Sequence, residues 1–286
     1  MKQIELETQL KNLHLGGIRF FQQISSTNDE ASNWIKAGCP DLALVIANEQ
    51  TAGRGRGKRK WYTPPGSALA FSVVLRADEQ LNKLLEFQNT TRLNGLGALA
   101  VCLALQKNYQ LSAKIKWPND VLVYGQKLSG VLAEAHWIGN ELSAVILGIG
   151  INVATRSIPL ADWDKHNPHP FPATCVESHF GEPVNRYDLL YNVLEELIIW
   201  RDQISNPEFL QTWQDNLAFL GEWVQIIIPG SNAIYKIGQI LSLEADGALK
   251  IKEKSGELSR LQTGEIQPSD PTTKGFQLRP VDSKIK

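Results

Sequence analysis

Cysteine is scarce in this chain. Only Cys39, Cys102 and Cys175 occur in 286 residues, far apart and without a C-x-x-C pair. That usage argues against a disulfide framework or a structural zinc site and fits a reducing cytosol. Long apolar runs are missing too. Stretches such as Leu96–Leu105 fall well short of the roughly 18–20 residues that cross a bilayer, so no membrane association is expected. The first ten residues, MKQIELETQL, carry two carboxylates and no apolar centre, so they do not form a secretory signal. Charge of one sign is absent: 29 Lys and Arg face 30 Asp and Glu, a formal net charge of −1. No global field draws the chain to nucleic acid or an anionic surface. No internal repeat or low-complexity tract occurs. An apolar fraction of 43% supports a buried core and excludes wholesale disorder. The expectation is a soluble, cytoplasmic protein of one or two domains.

The local patterns predict mixed α and β structure. Thr27 with Glu30 reads as a capping box opening a helix to Lys36, with Gly38 as its stop. Residues 42–47 (LALVIA) and 68–75 read as buried strands. Residues 90–108 read as a buried helix despite Gly95 and Gly97. Residues 113–117 and 121–124 read as strands, and 128–137 with 142–149 as a hairpin turning at Gly139-Asn140. Proline-rich 158–183 reads as an irregular connection. Helices are predicted over 187–204 and 207–220. The texture then becomes all-β, with turns at Pro229-Gly230, Asp246-Gly247 and Ser255-Gly256. This predicts a first domain over 1–220, a small barrel over 221–270 and a polar tail over 271–286.

The most unusual segment is Gly53-Arg54-Gly55-Arg56-Gly57-Lys58-Arg59-Lys60-Trp61. Glycine lets backbone N–H groups converge on one ligand, and arginine offers a planar fork for carboxylate or phosphate. The spacing does not fit a Walker loop. A solvated basic turn or a nucleic-acid patch remains the plain alternative, but strands anchor the loop at both ends. Further on, Lys116-Trp117-Pro118-Asn119-Asp120 places polar side chains at a tight turn. Lys127 opens a strand, and Gly148, Gly150 and Asn152 alternate along another. Strand glycines of that kind mark a close approach by backbone or ligand.

Taken together, five motifs resemble one family, the biotin–protein ligases. They are S-T-N-D-E-A, E-Q-T-A-G-R-G-R-G-K-R-K-W, K-W-P-N-D-V, K-L-S-G-V-L-A-E and G-I-G-I-N-V. The match is close over about residues 20–155 and looser beyond. The resemblance implies a mixed sheet flanked by helices, like that of class II aminoacyl-tRNA synthetases, followed by an SH3-like barrel. It implies that biotin and MgATP form biotinyl-5′-AMP, which a lysine of the biotin carboxyl carrier protein of acetyl-CoA carboxylase then attacks. It places Ser26, Thr27, Asn28 and Gln50 along biotin, and Gly53, Arg54, Gly55 and Arg56 in a loop over the adenylate. Trp61 would seal the adenylate end. Lys127 would meet the carboxylate and α-phosphate, with Arg54 and Asp120 as further catalytic candidates. Asn119 would stand beside the reacting phosphate. Gly130 and Gly150 would leave room for a flat ring, next to Asn152. The protein ligands of the metal stay unassigned, as do Arg59 and Lys60.

Some relatives carry an N-terminal DNA-binding domain. Only 24 residues precede Ser25 here, so no DNA binding is expected. A homodimer through a sheet edge is compatible with the resemblance, without indicating which edge. Uncharged Gln225 and Ser269 leave the barrel's contacts with ATP in doubt. The nearest alternatives are a lipoate–protein ligase and a nucleic-acid-binding module using Arg54–Lys60. His166 and His169 are set aside as a metal pair, because the prolines around them oppose a helix. Trp34, Trp137, Trp163, Trp200 and Trp213 are expected to be core or packing residues rather than ligand platforms.

Overall fold

The computed structural model describes residues 1–84, 90–159, 171–228 and 233–269. Expectations on Trp163, His166, His169, the Pro229-Gly230 turn and the 271–286 tail lie outside the described residues. Seven strands form the main sheet: β1 (Gly17–Phe21), β2 (Ala43–Ala47), β3 (Ala68–Arg76), β4 (Ala113–Lys116), β5 (Asp120–Val123), β6 (Gln126–Ile138) and β7 (Glu141–Asn152). Their order is β1-β2-β3-β7-β6-β5-β4. β1 and β2 run parallel and the other neighbours antiparallel, so the sheet is mixed as expected. The helices are α1 (Gln3–Gln9), α2 (Thr27–Lys36), α3 (Glu79–Leu84), α4 (Thr91–Tyr109), α5 (Val176–Phe180), α6 (Arg186–Asp202) and α7 (Pro207–Asp215). β8 (Trp223–Ile227), β9 (Ile234–Leu243), β10 (Leu249–Glu253), β11 (Leu258–Leu261) and β12 (Glu265–Pro268) form an antiparallel sheet in the order β11-β10-β9-β8-β12, consistent with an SH3-like unit. Among the described residues no helix is long and apolar enough to cross a membrane.

Strand periodicity decides which residues reach the site. Side chains alternate between the faces of a strand. On β7, Val145, Leu147, Ile149 and Ile151 enter the large core, which also holds residues of α4 and α6. Ala144 and Ile146 enter a smaller core with Ala31 and Ile35 of α2. Gly148, Gly150 and Asn152 continue that second face. On β3 the same alternation sends Phe71 and Val73 into the large core and aligns Ser72 with Gly148 across the strand pair.

The glycines of α4 serve packing. A Cβ on Gly95 would lie 2.6 Å from the Trp213 ring, and one on Gly97 would lie 2.8 Å from Val131. The loose G-x-G-x-x-A pattern is therefore a seam between helix and neighbours, with no dinucleotide turn. The large core runs unbroken from α4 through Trp117 and Trp213 to Val224, Ile226, Ile240 and Leu249 of the second sheet. The Trp117 indole N–H donates to the Gly247 carbonyl at 2.9 Å, adding a polar tie between the sheets.

Both edges of the main sheet are capped. The Gln3 side chain accepts from Phe20 N at 3.0 Å and donates to Ile18 O at 2.9 Å, occupying the β1 edge. At the other edge Ile115 N donates to Asn216 O and Ala218 N donates to Ile115 O, each at 2.8 Å. That pairing ends α7 at Asp215, short of the expected Leu220, because β4 recruits the following backbone. β1 and β12 were not anticipated, being short and lacking clean alternation. Trp213 is fully buried. Trp34 packs under the Arg19 guanidinium at 4.1 Å, and Trp200 against Phe209. Trp137 lies outside the core: it is 40% exposed, just beyond a bulge at His136/Trp137 on the far end of the β6–β7 hairpin.

A core shared by both sheets predicts one cooperative unfolding transition. Trp213→Ala should lower stability by about 3–5 kcal/mol, the usual cost of emptying a buried aromatic site. Urea unfolding followed by circular dichroism should show a single shifted transition; two separate transitions would contradict the shared core.

Candidate functional site

One cavity of about 340 Å³ opens between α2, the glycine-rich loop, β5–β7 and the start of β12. That volume is in the range of small-molecule pockets. Every candidate residue named above lines it except Gly53. Gly53 forms the base of the loop, where its carbonyl accepts from Trp61 N at 2.8 Å and a Cβ would lie 2.5 Å from Trp61 O. Gly55 N donates to Arg59 O at 2.8 Å, and Arg54 and Lys60 form a bridge. Gly57 turns the chain at φ 64°, a left-handed conformation that glycine tolerates. The loop is thus a flap closed on itself that forms one wall of the cavity.

One end of the cavity is a neutral hydrogen-bond network. Helix α2 begins one residue before the expected cap: Ser26 Oγ accepts from Asp29 N at 3.4 Å. This frees Thr27, whose N–H donates to Gln50 Oε1 at 2.8 Å and whose hydroxyl oxygen lies 3.1 Å from the same atom. Glu30 pairs with Arg19 at 2.8 Å. The buried Ser72 hydroxyl donates to Asn28 Oδ1 at 2.6 Å. Gly148 makes room for that amide, since a Cβ there would lie 2.2 Å from Asn28 Oδ1. The Trp61 indole lies against Gly150 and Gly130, with added Cβ atoms 2.3 and 3.2 Å from its ring. Its buried Nε1–H has no hydrogen-bond partner among the described residues.

The other end concentrates positive charge. A two-residue turn with Tyr124 at φ 48° and Gly125 at φ 72° starts β6 and points Lys127 back toward β5. Lys127 Nζ lies 2.8 Å from Asp120 Oδ1, and Lys116 Nζ lies 3.2 Å from Asp120 Oδ2. Burial pushes the Lys127 ammonium below the usual lysine range, with the Asp120 carboxylate opposing the shift. Burial likewise lowers the Arg56 guanidinium, against the pull of Asp120 and Glu265. Arg56 donates to Asn119 Oδ1 at 3.1 Å. Arg59 pairs with Glu265 of β12 through both carboxylate oxygens. Glu265 also lies 3.7 Å from Lys116. Asn152 donates to Thr174 O at 2.9 Å, and Lys127 exchanges backbone hydrogen bonds with Pro172 O and Thr174 N. These contacts fasten residues 172–174 as a cavity wall.

Arg54 takes a different course from Arg56. It pairs with Asp29 at 2.9 Å and Glu134 at 2.8 Å, at the rim of the cavity. The sequence reading missed Ser72, Lys116, Glu134 and Glu265. The first lies within an apolar strand, and Lys116 and Glu134 read as ordinary charges within quoted motifs. Glu265 is 206 positions from Arg59, and only the fold brings them together. Among the described residues no group of three His, Cys, Asp or Glu side chains is placed to hold a metal ion.

Comparison with known proteins agrees with this geometry. Residues 20–152, which carry α2, the flap and the strands of the cavity, match the model of the biotin/lipoate A/B protein ligase family. The biotin–[acetyl-CoA-carboxylase] ligase of Paracoccus denitrificans is 33% identical over 236 residues, covering 81% of this chain and 92% of that protein. The chain belongs to this ligase family. The bifunctional ligase/repressor BirA of Bacillus spizizenii is 33% identical over 195 residues. That alignment spans 68% of this chain and 57% of the BirA length, so this ligase-family chain matches little more than half of that relative. Among solved structures, the biotin protein ligase of Aquifex aeolicus in complex with biotin and ATP superposes with a TM-score of 0.70 at 26% identity, covering 88% of this chain and 97% of that one.

The tight fit at Gly148 gives a prediction for this ligase-family cavity. Gly148→Ala forces the Asn28 amide out of its place and should cost about 1–3 kcal/mol, the usual range for overpacking. Chemical denaturation of the variant checks it; unchanged stability would mean that the amide can move aside freely.

Proposed function

We propose that the chain is an ATP-dependent biotin–protein ligase, working in two steps. In the first, a biotin carboxylate oxygen attacks the α-phosphorus of MgATP. The bond to the β-phosphate bridging oxygen breaks, giving biotinyl-5′-AMP and pyrophosphate. In the second, the neutral amine of a carrier-protein lysine attacks the acyl carbon, AMP leaves with the anhydride oxygen, and the nitrogen sheds a proton. The acceptor is proposed to be the biotin carboxyl carrier protein of acetyl-CoA carboxylase, in keeping with the names of the relatives.

The observation that carries this reading is the polarity of the cavity. Its neutral end, with Ser26, Thr27 and Gln50, suits the ureido head of biotin. Its cationic end, with Lys127, Lys116 and Arg56, suits two anions that repel one another, carboxylate and triphosphate. Magnesium enters with the nucleotide. Two ammonium groups flank Asp120, so phosphate oxygens, the hard ligands this ion prefers, would hold most of its coordination shell. Asp120 is the candidate to orient the incoming lysine, whose neutral fraction at pH 7 is on the order of 10⁻³ to 10⁻⁴. The activated acyl group is open to hydrolysis, and a flap closed over it keeps water away. A thiol nucleophile is not needed. All three cysteines are buried, and burial pushes the Cys102 thiol up to about 12.

The same geometry lends the nucleic-acid alternative less support. Arg54 and Arg59 are held by the carboxylates of Asp29, Glu134 and Glu265, which a phosphate backbone would have to displace. Lipoate and biotin offered together would separate the remaining pair of readings, with biotin expected to win.

Purified protein given biotin, MgATP and a carrier domain should label the carrier, and an unlabelled carrier would refute the proposal. Lys127→Ala should abolish pyrophosphate release. The pH dependence follows from the lowered Lys127 pKa. The ammonium is charged below that pKa and neutral above it, so adenylate formation should fall as pH rises, before a solvated lysine would titrate. Lys127→Arg keeps its charge throughout and should remove that alkaline limb. An unmoved limb would show that another group sets it. Arg56→Gly should loosen the flap and leak adenylate, read as labelling of bystander lysines; none would count against shelter by the flap.

A further inference from the structure

We propose that Glu134 is a positioning residue that pins the flap shut through Arg54 and ties that pin to the neutral end of the cavity. Glu134 lies on β6, on the face shared with Gly130, and was assigned no role above. Its Oε2 accepts from Arg54 Nη2 at 2.8 Å and from Asn28 Nδ2 at 2.6 Å. Arg54 Nη2 reaches Asp29 Oδ1 at 2.9 Å as well. One guanidinium at the base of the flap is therefore held by carboxylates from two separate elements, α2 and β6.

The pin does not end at Glu134. Asn28 carries its other amide atom to the Ser72 hydroxyl at 2.6 Å, and Ser72 Oγ is also 2.8 Å from Thr27 Oγ1. The Thr27 backbone N–H in turn donates to Gln50 Oε1 at 2.8 Å, which leaves the Thr27 hydroxyl proton for the Ser72 oxygen. A chain of hydrogen bonds thus runs Gln50, Thr27, Ser72, Asn28, Glu134, Arg54. It leads from the end proposed to hold the ligand's head group to the hinge of the flap. Ser72 is wholly buried, so its hydroxyl has no water to turn to. Each link holds its neighbour's rotamer, and a shift at either end must be answered along the chain.

This divides the two arginines of the G-R-G-R repeat. Arg56 stands at the cationic end beside Asn119, where it faces the reacting anions. Arg54 is met by two carboxylates and acts as a fastening for the backbone between Gly53 and Gly55. The pin stands on geometry alone, and only its effect on biotin kinetics rests on the proposed activity.

Limited trypsin digestion reads the pin directly, because the flap offers several cleavage sites besides Arg54. With no ligand added, Glu134→Ala should raise flap cleavage about fivefold over the wild type, the scale expected for half-exposed ion pairs. Asp29→Asn with Glu134→Gln should raise it further. Arg54→Ala combined with Glu134→Ala should add little to Arg54→Ala alone, since the arginine change already removes the Glu134 link. Cleavage at sites outside the flap should stay at the wild-type rate, which a general loss of fold would not allow. In the biotinylation assay Glu134→Ala should raise KM for biotin by more than it lowers kcat, and Ser72→Ala should shift KM the same way. Flap cleavage at the wild-type rate in both carboxylate variants, or fully additive effects of Arg54→Ala and Glu134→Ala, would overturn the pin. An inactive wild type with an intact pin would instead remove the proposed activity and leave Glu134 as the flap fastener.

Discussion

The site depends on holding like charges together away from water. Among the described residues, Lys116, Lys127, Arg56 and Arg59 converge on the carboxylates of Asp120 and Glu265. Among the described residues, cations therefore outnumber carboxylates at this end of the cavity. Such a cluster is costly to bury, as the lowered pKa values of Lys127 and Arg56 show. It persists because the carboxylates come from rigid places, the β4–β5 turn and β12. The same cost is the source of function. An anion entering the cavity relieves repulsion already built into the fold, so binding energy goes to the end where the chemistry occurs.

The charge network also explains why the second sheet belongs to the site. β12 has only four residues, Glu265–Pro268, yet its first residue clamps Arg59 of the flap and lies near Lys116. The shared core around Trp117 and Trp213 fixes the distance between sheets, and the Trp117–Gly247 hydrogen bond adds direction to that contact. A change deep in this core could therefore alter the flap without touching it. Nothing local to Glu265 marks it as the partner of Arg59, 206 positions away, so the barrel's reach to the flap is visible only in the fold.

Legibility followed the range of the interactions. The basic repeat, the alternating glycines and the lysine after a tight turn are local features, and all but Gly53 of the candidate residues line the cavity. The strands were legible where apolar runs were dense, as in 42–47 and 68–75. Partnerships between distant segments were not. Nothing near Ser72 marks it as the neighbour of Asn28, and nothing in the polar stretch at the N-terminus marks Gln3 as the cap of β1. The capping box failed for a related reason. Thr27 has the right hydroxyl at the right spacing, but it turns to Ser72 and Gln50, and the cap passes to Ser26. The end of α7 was misplaced because β4, about a hundred positions earlier, competes for the backbone after Asp215.

β7 shows how stability and chemistry share one strand without conflict. Its apolar positions, Val145, Leu147, Ile149 and Ile151, hold the sheet to α4 and α6. Its other face gives up side chains at Gly148 and Gly150, where the Asn28 amide and the Trp61 indole come close. Glycine in a strand weakens it, and here two of them lie next to strands on both sides. The cost is bearable because β7 is central, with β3 and β6 supplying full ladders. An edge strand with the same sequence would fray. The flat, side-chain-poor floor therefore has to be in the middle of the sheet, and the flap has to reach across from β2 and β3 to cover it. The topology and the position of the cavity are, in this sense, consequences of one another.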